Sequence, residues 1–220
     1  VSNEQVFPGR PGRSDISVGI VILAAGRSTR MSTDIGHKLL ATFGGVPLVR
    51  RVALQAIESR AKHVYAVTGF RHEEIGDCLA GLEITLTFNP EFASGMASSL
   101  VAGLKFPGVM DHDGILILLA DMPAITALDL DQLIMAFETS NGSAVVRASH
   151  AGTPGNPVVL PGALYRQALL LRGDRGAKGL IESSDLDIME VEIGEGATID
   201  IDTKEDLQKH GDTLDGYNAV

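Results

Sequence analysis

"VGIVILAAGRSTRM", residues 18–31, is the stretch on which the fold turns. From Val18 to Ala25 no polar side chain interrupts the run, and then Gly26, Arg27 and Arg30 follow within one short segment. A half-buried strand alternates apolar and polar residues. One without a polar face has to be covered on both sides, the condition of a central strand in a parallel sheet. The pattern returns in "GILILLADMPAIT", residues 114–126, where the run ends in Asp121, Met122 and Pro123. Further strands are expected at 63–68, 83–88, 143–147, 157–160 and 187–193. Helices are expected at 47–61, 72–80, 96–105, 126–139, 161–171, 176–183 and 203–209. This alternation specifies an α/β fold with a mainly parallel sheet between two helical layers. Ligands of such sheets bind beyond the carboxyl ends of the strands, so the residues just after each run are the candidates for chemistry.

Composition excludes several classes. The chain has 220 residues, 45% hydrophobic and 21% charged, enough for one sizeable core. Residues 1–17, rich in Pro, Gly, Ser and charge, are expected as a flexible tail, 18–210 as a single domain and 211–220 as a C-terminal tail. A formal net charge of −10, with no run of Lys and Arg, argues against nucleic acid as a partner. No apolar run reaches the ~20 residues of a membrane span, and no signal-peptide core follows the start, so a cytoplasmic protein without a membrane partner is expected. Cys78 is a single cysteine with no activating base beside it in sequence. His37, His63, His72, His112, His150 and His210 lack zinc-ligand spacing.

The loop after the first strand matches neither G-x-G-x-x-G nor the P-loop. Ala24, Ala25 and Gly26 are nevertheless small enough for a ligand to approach the backbone N–H groups, while Arg30 and Lys38 can neutralise phosphate charge. A triphosphate suits that arrangement; a strand-to-helix turn with solvated arginines is the plain alternative. Asp121, where a central strand leaves the sheet and Pro123 stops its continuation, is a good seat for a metal ligand. Mg²⁺ takes one or two carboxylates plus phosphate oxygens, which a reacting triphosphate supplies.

With these pieces the sequence resembles the MobA/MocA-like nucleotidyltransferases, from Val18 to about Gln208. The ordered segments that carry the resemblance are "LAAGRSTRM" with Lys38, "DMP", "GMASSLVAGL" (95–104), "GTPGNPVVLP" (152–161), "GDRGAKGLI" (173–181) and "DIDTKEDL" (200–207). The resemblance implies a Rossmann-like three-layer α/β/α nucleotidyltransferase fold and points to the branch acting on molybdopterin. Cytidylyl enzymes of that branch usually show L-A-A-G and guanylyl enzymes L-A-G-G, and Ala25 selects the first. The implied reaction is Mg²⁺-dependent transfer of CMP from CTP to the terminal phosphate of molybdopterin, with release of pyrophosphate. Leu23, Ala24, Ala25, Gly26, Arg30, Lys38 and Ser99 would bind the nucleotide, with Arg30, Lys38 and Asp121 catalytic. Asn156, Asp174, Arg175 and Lys178 would bind the acceptor. Asp202, with Asp200 second, would join Asp121 on the metal, although Asp202 and Glu205 also fit a helix-capping box. A recipient molybdoenzyme or its chaperone is the implied protein partner.

One departure from the family pattern is the loop "MSTDIGH" (31–37), which lengthens the path from Arg30 to Lys38 and leaves the aim of that lysine open. Two other readings stand beside this one. The first keeps the enzyme class with GTP or another small phosphorylated acceptor. The second is an NAD(P)H-dependent oxidoreductase or cofactor-binding protein on the same scaffold, against which the missing dinucleotide fingerprint argues.

Overall fold

The side chains of Val18–Ala24, strand β1, go alternately to two cores, and that alternation organises the molecule. The structure is a computed structural model and describes residues 16–27, 37–173, 176–201 and Asp206. In chain order the elements after β1 are β2 (Thr42–Phe43), β3 (Val46–Pro47), α1 (Leu48–Glu58), β4 (Val64–Thr68), α2 (His72–Leu79) and β5 (Thr85–Phe88). They continue with α3 (Met96–Leu104), β6 (Gly114–Leu119), α4 (Ala127–Thr139), β7 (Val145–His150) and β8 (Thr153–Pro161). The last are α5 (Tyr165–Ala168), α6 (Lys178–Glu182) and β9 (Ile188–Glu192). Of the helix expected at 203–209, only Asp206 is described, and it is helical.

Seven strands form one sheet in the order β5-β4-β1-β6-β8-β7-β9. All run parallel except β8, which is antiparallel to both of its neighbours. Ile20, Ile22, Leu116 and Leu118 face a core closed by α1, α2 and α4, whereas Val21, Ile115 and Ile117 face one closed by α3, α5 and α6. Each Ile or Leu fully withdrawn from water there contributes roughly 1.5–3 kcal/mol, which makes β1 and β6 the rigid centre. The expected Rossmann-like architecture, a mainly parallel sheet between helical layers, is what the structure shows.

Three local features differ from expectation. The strand expected at 157–160 begins at Thr153, so Asn156 and Gly155 lie inside β8 and not in a turn before it. The helix expected over 161–171 is only Tyr165–Ala168, preceded by a 3-10 turn at Gly162–Leu164. A two-residue hairpin joins β2 and β3, its Gly44 and Gly45 at φ 56° and 78°; strands this short leave no periodicity to read.

Candidate active site

β1 is the point at which the sheet order reverses. The chain first adds β4 and β5 on one side and then returns to place β6 on the other. Such switch points open a crevice at the carboxyl end of the sheet. There Leu23 of β1 pairs with Leu119 of β6, and the Ala120 N–H donates to the Leu23 carbonyl at 3.2 Å. The Ala24–Gly26 segment and Asp121 therefore leave the sheet side by side.

Lys38 enters the same crevice from the 3-10 turn Lys38–Leu40. Its Nζ lies 2.7 Å from Asp121 Oδ2, with side-chain exposures of 13% and 19%. The other carboxylate oxygen, Oδ1, is buried and has no hydrogen-bond partner among the described residues. An orphaned buried oxygen costs free energy unless a cation or donor reaches it, so Asp121 fits a metal ligand. Among the described residues no group of three or more His, Cys, Asp or Glu is placed to hold a metal ion. One carboxylate still matches Mg²⁺ that completes its shell from phosphates and water. The backbone N–H of Ile201 donates to the Asp121 carbonyl at 2.9 Å, which brings the segment of Asp200, itself exposed, to the end of β6. Arg30, Asp174, Arg175 and Asp202 lie outside the described residues.

Small residues make close approach possible on the other flank of β1. Ala24 and Ala25 are buried, and Gly26 is exposed. Gly69, just after β4, packs so closely that a Cβ there would lie 2.7 Å from Ala25 Cβ and 2.6 Å from Phe92 Cβ. The Phe70 N–H then donates to the Ala25 carbonyl at 3.2 Å, and the Arg27 guanidinium lies 5.4 Å from the centre of the Phe92 ring.

Helix α3 approaches β1 equally closely, because a Cβ at Gly103 would meet Val21 Cγ1 at 2.7 Å. That packing sets Ser99, which is buried. Its hydroxyl accepts from Asn89 Nδ2 at 3.1 Å, and the same amide also donates to Ser98 Oγ at 2.9 Å. Asn89 is itself fixed, with Oδ1 accepting from the Glu91 N–H and its own N–H donating to the Thr68 carbonyl. Ser98 turns its hydroxyl to the carbonyls of Glu91 and Gly95, and Gly95 caps α3 without a side-chain bond. Neither Ser94 nor Ser98 caps α3 through its side chain.

On the α3 and α6 side of the sheet lies a cavity of about 560 Å³. Leu23, Leu100, Ile117 and Leu119 give it apolar walls, while Asn156, Arg147, Lys178 and Glu182 supply its polar points. Gly155 brings β8 against the turn Gly194–Ala197 so tightly that a Cβ would sit 2.0 Å from the Ala197 carbonyl oxygen. The peptide Asn156-Pro157 is cis. Arg147 Nη2 pairs with Glu190 Oε1 at 2.5 Å, and its Nε is buried with no partner among the described residues. Lys178 is well exposed, its Nζ 4.0 Å from Glu182 Oε1. A bond from the Ala97 N–H to the Gly173 carbonyl, at 3.0 Å, links the start of α3 to the loop that leads into α6.

The structure thus brings Leu23, Ala24, Ala25, Gly26, Lys38 and Asp121 to one crevice, with Ser99 on the helix packed across β1. It places Asn156 and Lys178 on the adjoining cavity. Sequence reading passed over Gly69, Asn89, Arg147 and His37. A charged residue closing the apolar run 144–146 was the available signal for Arg147; Asn89 and Gly69 carry none beyond ordinary turn residues. Burial raises the Cys78 thiol above its usual pKa, with Asp77 adding to the effect, so it is not an activated nucleophile.

Comparison with known proteins gives the same architecture. Residues 20–188 match the model of the MobA-like NTP transferase domain. A nucleotidyl transferase from Methanothermobacter thermautotroptrophicus superposes with a TM-score of 0.78 at 24% identity, covering 92% of this chain and 99% of its own. A Mycobacterium tuberculosis protein solved in complex with manganese gives 0.71 at 19% identity, covering 90% and 99%. CMP:2-keto-3-deoxy-manno-octonic acid synthetase, complexed with CTP, gives 0.73 at 14% identity, covering 91% and 99%. No helix among the described residues is long and apolar enough to cross a membrane.

Proposed function

The chain belongs to the MobA-like NTP transferase family, and from that premise we propose that it transfers CMP from CTP to the terminal phosphate of molybdopterin, with Mg²⁺, and releases pyrophosphate. The observation that carries this reading is the state of Asp121: one oxygen on Lys38 Nζ at 2.7 Å and the other buried without a partner among the described residues. The L-A-A-G form of the loop, with Ala25 buried against Gly69, supports cytidine as the base. A like-folded synthetase is known in complex with CTP.

In the proposed reaction an acceptor phosphate oxygen attacks the α-phosphorus in line, a new P–O bond forms, and the bond to the bridging oxygen of pyrophosphate breaks. No protein nucleophile is needed, so the chain's work is positioning and charge neutralisation. Lys38 and Arg30 hold the triphosphate and the leaving group. Backbone groups of Ala24–Gly26 approach the nucleotide, and Ser99, oriented by Asn89, contacts the pyrimidine. Asp121, with Asp202 and Asp200, would hold Mg²⁺, which supplies counter-charge to the phosphates when bound. Asn156, Lys178, Asp174 and Arg175 hold the acceptor. The decisive experiment is a pyrophosphate-release assay with molybdopterin against CTP, GTP, ATP and UTP. Release with CTP above the others is expected; preference for GTP overturns the base assignment, and no release with molybdopterin overturns the acceptor.

A further inference from the structure

The lengthened loop between Arg30 and Lys38 leaves a mechanical question: what aims the lysine when the chain returns to the crevice? The residue at the point of return is His37, only 2% exposed. Its Nε2 lies 2.8 Å from the Gly26 carbonyl oxygen, and its Nδ1 lies 3.3 Å from the Leu39 backbone nitrogen. A carbonyl can only accept and a backbone N–H can only donate, so the two contacts together fix one neutral tautomer. Nε2–H donates to Gly26, and Nδ1 accepts from Leu39. The ring also lies 5.6 Å, centre to centre, from that of Phe70, whose N–H holds the Ala25 carbonyl. Leu39, on the far side of Lys38, is buried at 3% exposure. The lysine is therefore flanked by two buried residues, one of them tied to the loop that leaves β1.

We infer that His37 is a positioning residue: by bridging Gly26 and the Lys38–Leu40 turn it aims Lys38 at the phosphate site beside Asp121, taking the part that a shorter loop would play. This rests on the reading of Lys38 as a nucleotide contact, and it holds whatever the acceptor is. A lysine on an untethered turn would lose the orientation that lets one cation serve both a carboxylate and a phosphate, so nucleotide affinity should suffer more than the fold.

The test is a double-mutant cycle read as affinity for CTP with Mg²⁺ by titration calorimetry, alongside melting temperature, with no acceptor present. His37→Phe keeps an aromatic ring of similar bulk and removes both hydrogen bonds. It is expected to weaken binding about tenfold. His37→Asn retains an acceptor near the Nδ1 position and His37→Gln a donor near the Nε2 position, and each should recover part of that loss. In a Lys38→Ala background, His37→Phe should cause no further weakening. Full additivity of the two substitutions, or wild-type affinity in His37→Phe, overturns the inference. Should His37→Phe not fold, the same cycle with His37→Gln and His37→Asn decides in the same terms. Wild-type protein that binds CTP but does not use molybdopterin leaves this inference standing and removes the acceptor; wild-type protein that binds no nucleotide overturns both.

Discussion

The crevice at the end of β1 and the cavity beside β8 adjoin, yet they are built in opposite ways. In the crevice, small residues let backbones touch, and Lys38 pairs with Asp121 at 2.7 Å. The cavity, of about 560 Å³, has aliphatic walls and widely spaced polar points, among them Asn156 and Arg147. A triphosphate has the same shape in every nucleotide, so tight backbone packing suits it. An acceptor is recognised by what distinguishes it, which calls for room and a few directed groups. The difference teaches that, in the proposed reaction, the nucleotide and the acceptor should respond to different mutations.

The largest expected effect breaks the crevice. If the proposed reaction is right, Asp121→Ala should lower pyrophosphate release at least about a hundredfold with the fold retained, because its buried Oδ1 would act on the phosphates in a water-poor site. Near-normal turnover in that variant would remove Asp121 from the reaction. Lys38→Ala should weaken CTP binding on the order of tenfold to a hundredfold, the range for a charge-assisted contact. An unchanged titration would place the triphosphate elsewhere. Arg147→Met sharpens the contrast from the cavity side: acceptor KM should rise about tenfold, while CTP affinity stays put. Loss of CTP affinity instead would merge the two regions.

The smallest effect is a pH dependence. Burial holds the His37 imidazole below its usual 6.5, with Arg71 and Lys38 acting in the same direction and the Gly26 hydrogen bond and Glu74 opposing. The folded form therefore takes up this proton less readily than the unfolded chain. As pH falls from about 6.5 the unfolded state binds more protons, and stability declines at no more than about 1.4 kcal/mol per pH unit for this one group. Above that pH its contribution is flat. Melting temperatures of wild-type and His37→Gln protein across this range check the prediction, because the variant lacks the His37 component; identical profiles would count against it.

Legibility in the sequence followed the same division. β1 and β6 could be read because burial on both faces leaves an unbroken apolar run, and Asp121 because a carboxylate ends one of those runs. The crevice motifs "LAAG" and "DMP" are contiguous. The cavity is not: it joins β1, α3, β6, β7, β8 and α6, and no local pattern records that Arg147 faces Asn156's cavity. The reversed direction of β8 was invisible for a related reason, since apolar periodicity does not encode strand polarity. His37 escaped because its significance lies in a bond to Gly26, across residues whose spacing matches no metal or catalytic motif.

One consequence of the Lys38–Asp121 pair concerns encounter, before any contact is made. The chain carries a formal charge of −10, and a nucleoside triphosphate is itself a polyanion, so their long-range fields oppose approach. A bare carboxylate in the crevice would add a monopole to that repulsion. Joined to an ammonium it is only a dipole, whose field decays faster with distance, and the entrance is less forbidding to an anion than the summed charge of the molecule implies.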